Sequence, residues 1–281
     1  MNKTAAVLSD DDMGVEDKKL YVIKIGGNVI DNAANLDCFL KDFTALEGYK
    51  ILVHGGGKAA TQFSERLGIE PNLVDGRRIT DMETLRVVTM VYGGLISKNI
   101  VAQLQRYGTN AIGLTGADGD FIRAKKRPVK TIDYGFVGDI DEHSIKPKNI
   151  SNLMKGGFTP VFCAITHDGE GQLLNTNADT IASAIAVAMS ALYETTLIYC
   201  FEKKGVLKDI NDESSLIHEI DPERYEVLKN QKIIHSGMLP KLDNAFTAIS
   251  CGVKAVIIGQ SDDLGNLKQN KQFGTRLTKN K

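Results

Sequence analysis

Short runs of β-branched and other apolar residues alternate along the chain with longer stretches whose apolar positions recur every three or four residues. Leu20–Ile25 reads as a strand that ends in Gly26-Gly27, and Leu36–Leu46 carries helical spacing. Lys50–Val53 reads as a second strand, closed by His54-Gly55-Gly56-Gly57, with Ala59–Leu67 continuing as a helix. Strand, glycine turn and helix in repetition predict an α/β protein built on a parallel sheet with right-handed crossovers. Thr80 and Glu83 have the spacing of a capping box. Behind them Met82, Leu85, Val88, Tyr92, Leu95, Ile96, Ile100 and Leu104 predict a long helix with more apolar face than one crossover needs, enough to floor the sheet or form a subunit interface. Asn110–Leu114 and Pro160–Ile165 read as strands, and the glycine-punctuated Phe121–Gly138 as hairpins. Asn149–Lys155 and the alanine-rich Ala178–Met189 read as helices, with His167–Gln172 a polar turn. Leu197–Cys200 and Ala255–Ile258 complete the strands, and helices are expected near Pro222–Leu228 and Leu239–Ile249. A boundary near residue 190 divides an N-terminal lobe, 20–190, from a C-terminal lobe, 191–281, with 1–19 expected as a disordered tail.

Length changes this picture little: 281 residues suit two lobes or one large domain at about 100–200 residues per domain. An apolar share of 42% beside 25% charged residues excludes general disorder. Lys plus Arg is 34 against 35 Asp plus Glu, so no basic excess exists for gripping nucleic acid. No uninterrupted apolar run approaches the roughly 20 residues of a membrane span, and Asp10-Asp11-Asp12 stands where a signal peptide needs an apolar core. A soluble cytoplasmic protein is expected. Cys38, Cys163, Cys200 and Cys251 form no C-x-x-C pair and read as reduced thiols. The five histidines form no zinc-binding cluster, so no dedicated protein metal site is expected.

Candidate chemistry gathers at the glycine turns. Lys24-Ile25-Gly26-Gly27 and His54-Gly55-Gly56-Gly57 put small residues where a strand hands over to a helix, so backbone N–H groups can approach an anion closely. Either loop alone is adequately explained as a tight turn; two on successive parallel strands open on one sheet edge and favour an anion site. A P-loop is excluded, because Leu52 stands at its first glycine and Ala59 at its hydroxyl position. Gly55-x-Gly57-x-x-Ala60 fits a relaxed dinucleotide fingerprint, but no acidic residue closes a strand at the expected distance. Lys24 lies inside an apolar strand and needs a counter-charge or a ligand, unless it snorkels at a sheet edge. Lys241 follows Gly237-Met-Leu-Pro240 at a helix start, where a cation opposes the helix dipole. Lys58 reads as solvent-exposed. Asn175-Thr-Asn177-Ala-Asp179 supplies more polar side chains than one helix cap requires. In Gly76-Arg77-Arg78-Ile79-Thr80 one arginine is suited to reading a carboxylate, the other to solvent.

K-I-G-G, V-H-G-G-G, G-R-R-I-T, N-T-N-A-D and G-M-L-P-K, in that order over about residues 20–260, resemble the amino acid kinase family, and within it the branch acting on N-acetyl-L-glutamate. The resemblance implies a three-layer αβα sandwich around a mainly parallel open sheet. It implies phosphoryl transfer from ATP with Mg²⁺, the metal held mainly by phosphates and water, to the side-chain carboxylate of an N-acyl-L-glutamate, a step of arginine biosynthesis. Lys24 and Lys241 are implied to neutralise the moving phosphoryl group, with Asp179 holding both. Gly56, Gly57, Arg78, Asn175 and Asn177 are implied on the substrate side. Gly26, Gly27, Glu202, Lys204 and Gly205 are implied on the nucleotide side. The run Phe201-Glu202-Lys203-Lys204-Gly205 departs from the family's usual acidic residue followed by an apolar one. Arginine-inhibited members of the family carry an extra N-terminal helix that joins dimers into a hexamer; the tail here lacks a convincing apolar stripe, so the resemblance implies a homodimer without arginine feedback. The runners-up are a kinase for another acyl-glutamate such as N-succinyl-glutamate and, from a different class, a dinucleotide-dependent oxidoreductase, which leaves both lysines without a role.

Overall fold

The computed structural model describes residues 19–74, 76–234, 238–269 and 271–279. The expected tail lies outside them except for Lys19, which opens the first strand. Eight strands form one sheet in the spatial order Glu219–Ile220, Thr275–Leu277, Ala255–Gln260, Glu194–Phe201, Lys19–Ile25, Tyr49–His54, Thr159–Cys163 and Ala111–Leu114. Every neighbouring pair is parallel except Ala255–Gln260 with Thr275–Leu277. The central strands are continuously apolar because helices cover both faces: Val22, Ile23, Ile51, Leu52, Val53 and Ile198 are all fully buried. Ala178–Met189, Leu239–Ser250 and Pro147–Lys155 pack on one side, and Ala33–Ala45 with Ser97–Arg106 on the other. This is the expected three-layer sandwich. Ala182 and Ala186 are fully buried where Ala178–Met189 lies across three strands, so the alanine-rich stripe serves close helix–sheet approach.

The first strand sits in the middle of the sheet, with Lys24 opposite Val53 on one side and Tyr199 on the other. Lys24 is therefore not a snorkelling edge residue. The same register puts Ile25 beside His54, so the two glycine turns leave adjacent strands at one level.

The predicted long helix runs over Met82–Arg106 but contains a π-helical stretch, Thr89–Ile96, between two α-helical segments. Length and mean hydropathy alone would let it cross a bilayer, which amends the expectation from uninterrupted apolar runs. Instead Leu85, Val88, Tyr92, Ile96, Ile100 and Leu104 are buried in the core. Its cap also differs from expectation. Asp81, not Thr80, caps the helix by accepting from the Thr84 N–H at 2.8 Å. Thr80 is fully buried, and its hydroxyl donates to the Arg78 carbonyl at 3.2 Å and accepts from Asn175 Nδ2 at 3.1 Å. A capping-box pattern cannot tell a cap from a buried hydroxyl one residue earlier.

Phe121–Gly138 forms less hairpin than its glycines suggested: one two-residue antiparallel ladder, Lys125–Lys126 with Gly138–Asp139, beside isolated bridges. The clearer hairpins are Leu73–Val74 with Arg77–Arg78, and Ile165–His167 with Leu173–Asn175 around the expected polar turn. Phe136 N–H bonds to Thr80 O at 2.7 Å and Asn175 N–H to Phe136 O at 2.9 Å, lacing these segments together. The short edge strand Glu219–Ile220 and its neighbour Thr275–Leu277 had not been expected.

Gly56 ties the π-helical stretch to the second turn. Its φ is +151°, and a Cβ there would lie 2.3 Å from Ile96 Cδ1 and 3.0 Å from Tyr92 Cδ1. Gly56→Ala is expected to cost about 2 kcal/mol or more through overpacking and backbone strain. Urea unfolding checks this; an unchanged midpoint would contradict the packing described.

Candidate active site

A cleft of about 770 Å³ opens at the carboxyl ends of the central strands, where open α/β sheets bind ligands. A second cavity of about 380 Å³ adjoins it, and Gly26 and Gly27 line both. The short helix Gly27–Ile30 and the longer Gly57–Arg66 and Leu239–Ser250 begin here without a side-chain cap. Asn32, Asp81 and Asp221 cap helices elsewhere, although Pro147–Lys155 also starts without a side-chain cap. The uncapped starts leave backbone N–H groups and positive dipole ends available to an anion.

Lys24 Nζ lies 2.8 Å from Asp179 Oδ1, and the lysine side chain is only 11% exposed. Asn177, not Asp179, caps Ala178–Met189 by accepting from the Thr180 N–H at 3.0 Å. The Asp179 carboxylate is thereby free to hold Lys24. Lys241 lies nearby: its Nζ is 3.8 Å from the Phe201 ring centroid, and Lys24 Nζ is 5.6 Å from the same centroid. Burial holds the Lys241 ammonium below the ordinary lysine range; Asp179 opposes this and Lys24 reinforces it. Two ammonium groups and one carboxylate thus share a site that backbone donors surround. An unliganded site of this kind carries surplus positive charge, which suits a polyanion.

The two arginines differ in exposure. Arg77 is exposed, whereas Arg78 is 9% exposed and donates through Nη2 to Gly57 O at 2.9 Å and Thr61 Oγ1 at 2.6 Å. Arg78 Nη1 is buried without a partner among the described residues. A buried guanidinium nitrogen with no acceptor is costly, and a ligand carboxylate in the cleft would satisfy it. Burial raises the Tyr92 phenol while the neighbouring Arg78 opposes that shift. Asn175 lines the cleft with its amide fixed on Thr80, and Asn177 lines it while serving as cap.

On the other side, Glu202 and Gly205 line the smaller cavity with Lys241 and Phe201. Lys204 points elsewhere, pairing with Glu213 at 3.0 Å. Gly205 has a packing reason of its own: φ is +155°, and a Cβ would meet Thr275 Oγ1 at 2.6 Å. Lys58 is exposed, as expected. The sequence reading missed Tyr92, Arg127 and Asn244 in the cleft wall and gave Phe201 no role. Tyr92 carried only a helical-core signal. Arg127, salt-bridged to Asp139 at 2.6 Å, sits in a segment with no periodicity. Among the described residues no three acidic, histidine or cysteine groups cluster as metal ligands.

The model of the amino acid kinase family matches residues 19–259. An acetylglutamate kinase of Cytophaga hutchinsonii is 56% identical over 265 residues, covering 94% of this chain and all of that protein. The crystal structure of smu.665 from Streptococcus mutans UA159 aligns with a TM-score of 0.72 at 25% identity, over 93% of this chain and 99% of that one. Carbamate kinase from Giardia lamblia, bound to AMP-PNP, shares the fold with a TM-score of 0.67 at 13% identity, over 95% of this chain and 100% of that one. The chain belongs to the amino acid kinase family. This membership removes the oxidoreductase reading of Gly55–Ala60.

Beneath the second turn, His54 is fully buried, with Nδ1 2.9 Å from Gly55 O. Burial lowers its pKa to about 4, so the ring stays neutral and Nδ1–H donates to that carbonyl. A depressed histidine contributes stability that is complete above its unfolded value near 6.5 and declines as pH falls toward 4, by about 3 kcal/mol in all. NMR titration is expected to show no imidazole protonation at this position between pH 5 and 8; a midpoint near 6.5 would contradict the assignment.

Proposed function

We propose that this chain transfers the γ-phosphoryl group of ATP to the side-chain carboxylate of N-acetyl-L-glutamate, giving an acyl phosphate for arginine biosynthesis. The observation that carries the reading is the Lys24–Asp179 pair with Lys241 beside it at the junction of two cavities, one of which ends in the half-satisfied Arg78. Relatives 53–56% identical to this chain bear the name acetylglutamate kinase, which supports the choice of acceptor.

Phosphoryl transfer asks a protein for positioning and charge stabilisation more than covalent help. Lys24 and Lys241 offset the negative charge that spreads over the migrating group, and Asp179 keeps Lys24 from drifting. N–H groups at Gly27, Gly56 and Gly57 face the phosphoryl group and the acceptor carboxylate. Arg78 and Asn175 hold the α-carboxylate at the far end of the cleft, and Asn177 completes that wall. The acceptor carboxylate is ionised at neutral pH, so no general base is needed. ATP occupies the smaller cavity beside Glu202 and Gly205, residues 191–281 forming the nucleotide lobe and 20–190 the acyl-amino-acid lobe. Mg²⁺ would be held mainly by the ATP phosphates and water, where it would offset phosphate charge. Met90 at 59% and Leu95 at 45% exposure lie on the outer face of the long helix, which supports pairing of two copies there in a cytoplasmic homodimer.

A coupled ADP-release assay over N-acetylglutamate, N-succinylglutamate, glutamate, aspartate and carbamate tests the acceptor. N-acetylglutamate is expected to give the highest kcat/KM; a preference for succinyl reassigns the acyl group, and no release with any acylated glutamate rejects the reading. Lys24→Ala and Lys241→Ala are expected to lower kcat by about 10²–10³ with much smaller changes in KM. Arg78→Ala is expected to raise KM for the acylated substrate at least tenfold while ATP affinity stays within about twofold. Equal loss for both ligands would remove Arg78 from the substrate side.

A further inference from the structure

We propose that the Phe201 ring is a positioning residue for phosphoryl transfer, the platform that holds Lys241 beside Lys24. The inference rests on the kinase reading above and deepens it. Lys241 has three reasons to leave its place. It stands in the first turn of Leu239–Ser250, at the positive end of the helix dipole; it is partly buried; and Lys24 repels it, although the Asp179 carboxylate attracts it through space. Among the described residues no hydrogen bond or ion pair of its ammonium holds it in return. What Nζ does meet is the face of Phe201, 3.8 Å from the ring centroid. That distance is well inside the roughly 6 Å over which a ring quadrupole attracts a cation, and the attraction strengthens when water is excluded.

The platform is itself fixed. Phe201 ends the strand Glu194–Phe201, and its ring stacks on Tyr199, two residues back on the same face, with centroids 6.1 Å apart and planes 24° from parallel. The Tyr199 hydroxyl donates to the Asp179 carbonyl oxygen at 3.3 Å. The ring therefore belongs to a unit that also carries the carboxylate partner of Lys24. Lys24 Nζ lies 5.6 Å from the same centroid, so the one ring stands near both ammonium groups, closer to Lys241. Phe201 also lines the smaller cavity, so a plain wall for the nucleotide is the competing role. The two roles differ in what they change. A wall sets KM for ATP, whereas a platform for Lys241 sets kcat and acts only while that lysine is present.

The test compares wild type, Phe201→Leu, Phe201→Tyr, Lys241→Ala and the Lys241→Ala/Phe201→Leu double variant of the full chain. Phe201→Leu is expected to lower kcat about tenfold, with both KM values within about threefold, and Phe201→Tyr to stay within about twofold of wild type. Adding Phe201→Leu to Lys241→Ala is expected to cost less than about twofold more. Wild-type kcat in the leucine variant, a rise confined to KM for ATP, or full additivity in the double variant each overturns the proposal. Should the leucine variant fail to fold, Phe201→Met, which fills similar space without a ring, takes its place under the same criteria. A readout independent of turnover is the Lys241 Cε methylene in ¹³C-lysine-labelled protein, expected upfield through the ring current and released by Phe201→Leu. An unshifted methylene sinks the proposal whatever the acceptor is. Wild type inactive on every acyl-glutamate but with the shift present sinks the kinase reading alone.

Discussion

One electrostatic constraint organises the molecule: a lysine in the centre of an apolar sheet must keep a counter-charge. Lys24 meets it through Asp179 at 2.8 Å, and much of the surrounding architecture keeps that pair in place. Asn177 takes over the capping of Ala178–Met189, which releases the carboxylate two residues on. The alanine stripe brings that helix close enough for Ala178 to lie against the Gly55 turn. Lys241 then adds a second cation whose charge the site compensates only in part. A polyanion that binds there meets a field already formed, with little reorganisation left for the reaction itself.

Glycine and π-helix geometry serve the same end by different physics. Gly56 is required because Ile96 and Tyr92 occupy the space of a side chain, and the widened turn of Thr89–Ile96 brings those two residues there. Gly57 has open space where its Cβ would be, so its lack of a side chain keeps the cleft accessible. Gly205 lies further off and is held by Thr275 and Leu216. Three glycines that look alike in sequence thus answer to a close approach, a ligand space and a packing contact.

Much of this was legible beforehand because it is periodic or locally anomalous. Alternating strands and amphipathic stretches gave the layered sheet. A lysine inside Tyr21-Val-Ile-Lys-Ile and polar groups in excess at Asn175–Asp179 marked the site, and short ordered motifs gave the family. What escaped depends on contacts between distant segments. Thr80 resembled a cap but is a buried bridge between Arg78 and Asn175. Tyr92 resembled core and lines the cleft. Phe201 looked like a departure from a pattern, and only the fold puts its ring near two lysines. Lys204, adjacent in sequence to cavity residues, turns to Glu213, a partner nine positions on that no local pattern announces.

The central claim is that Lys24 and Lys241 bind the transferring phosphoryl group more tightly than either ground state. The most direct measurement is calorimetric binding of MgADP with aluminium fluoride and N-acetylglutamate, a mimic of that planar group, beside binding of a non-hydrolysable ATP analogue. The account predicts that Lys24→Ala and Lys241→Ala weaken the mimic by about 10² or more while the ATP analogue changes by less than about tenfold. Equal weakening of both ligands, or a mimic held as tightly as by wild type, would contradict it.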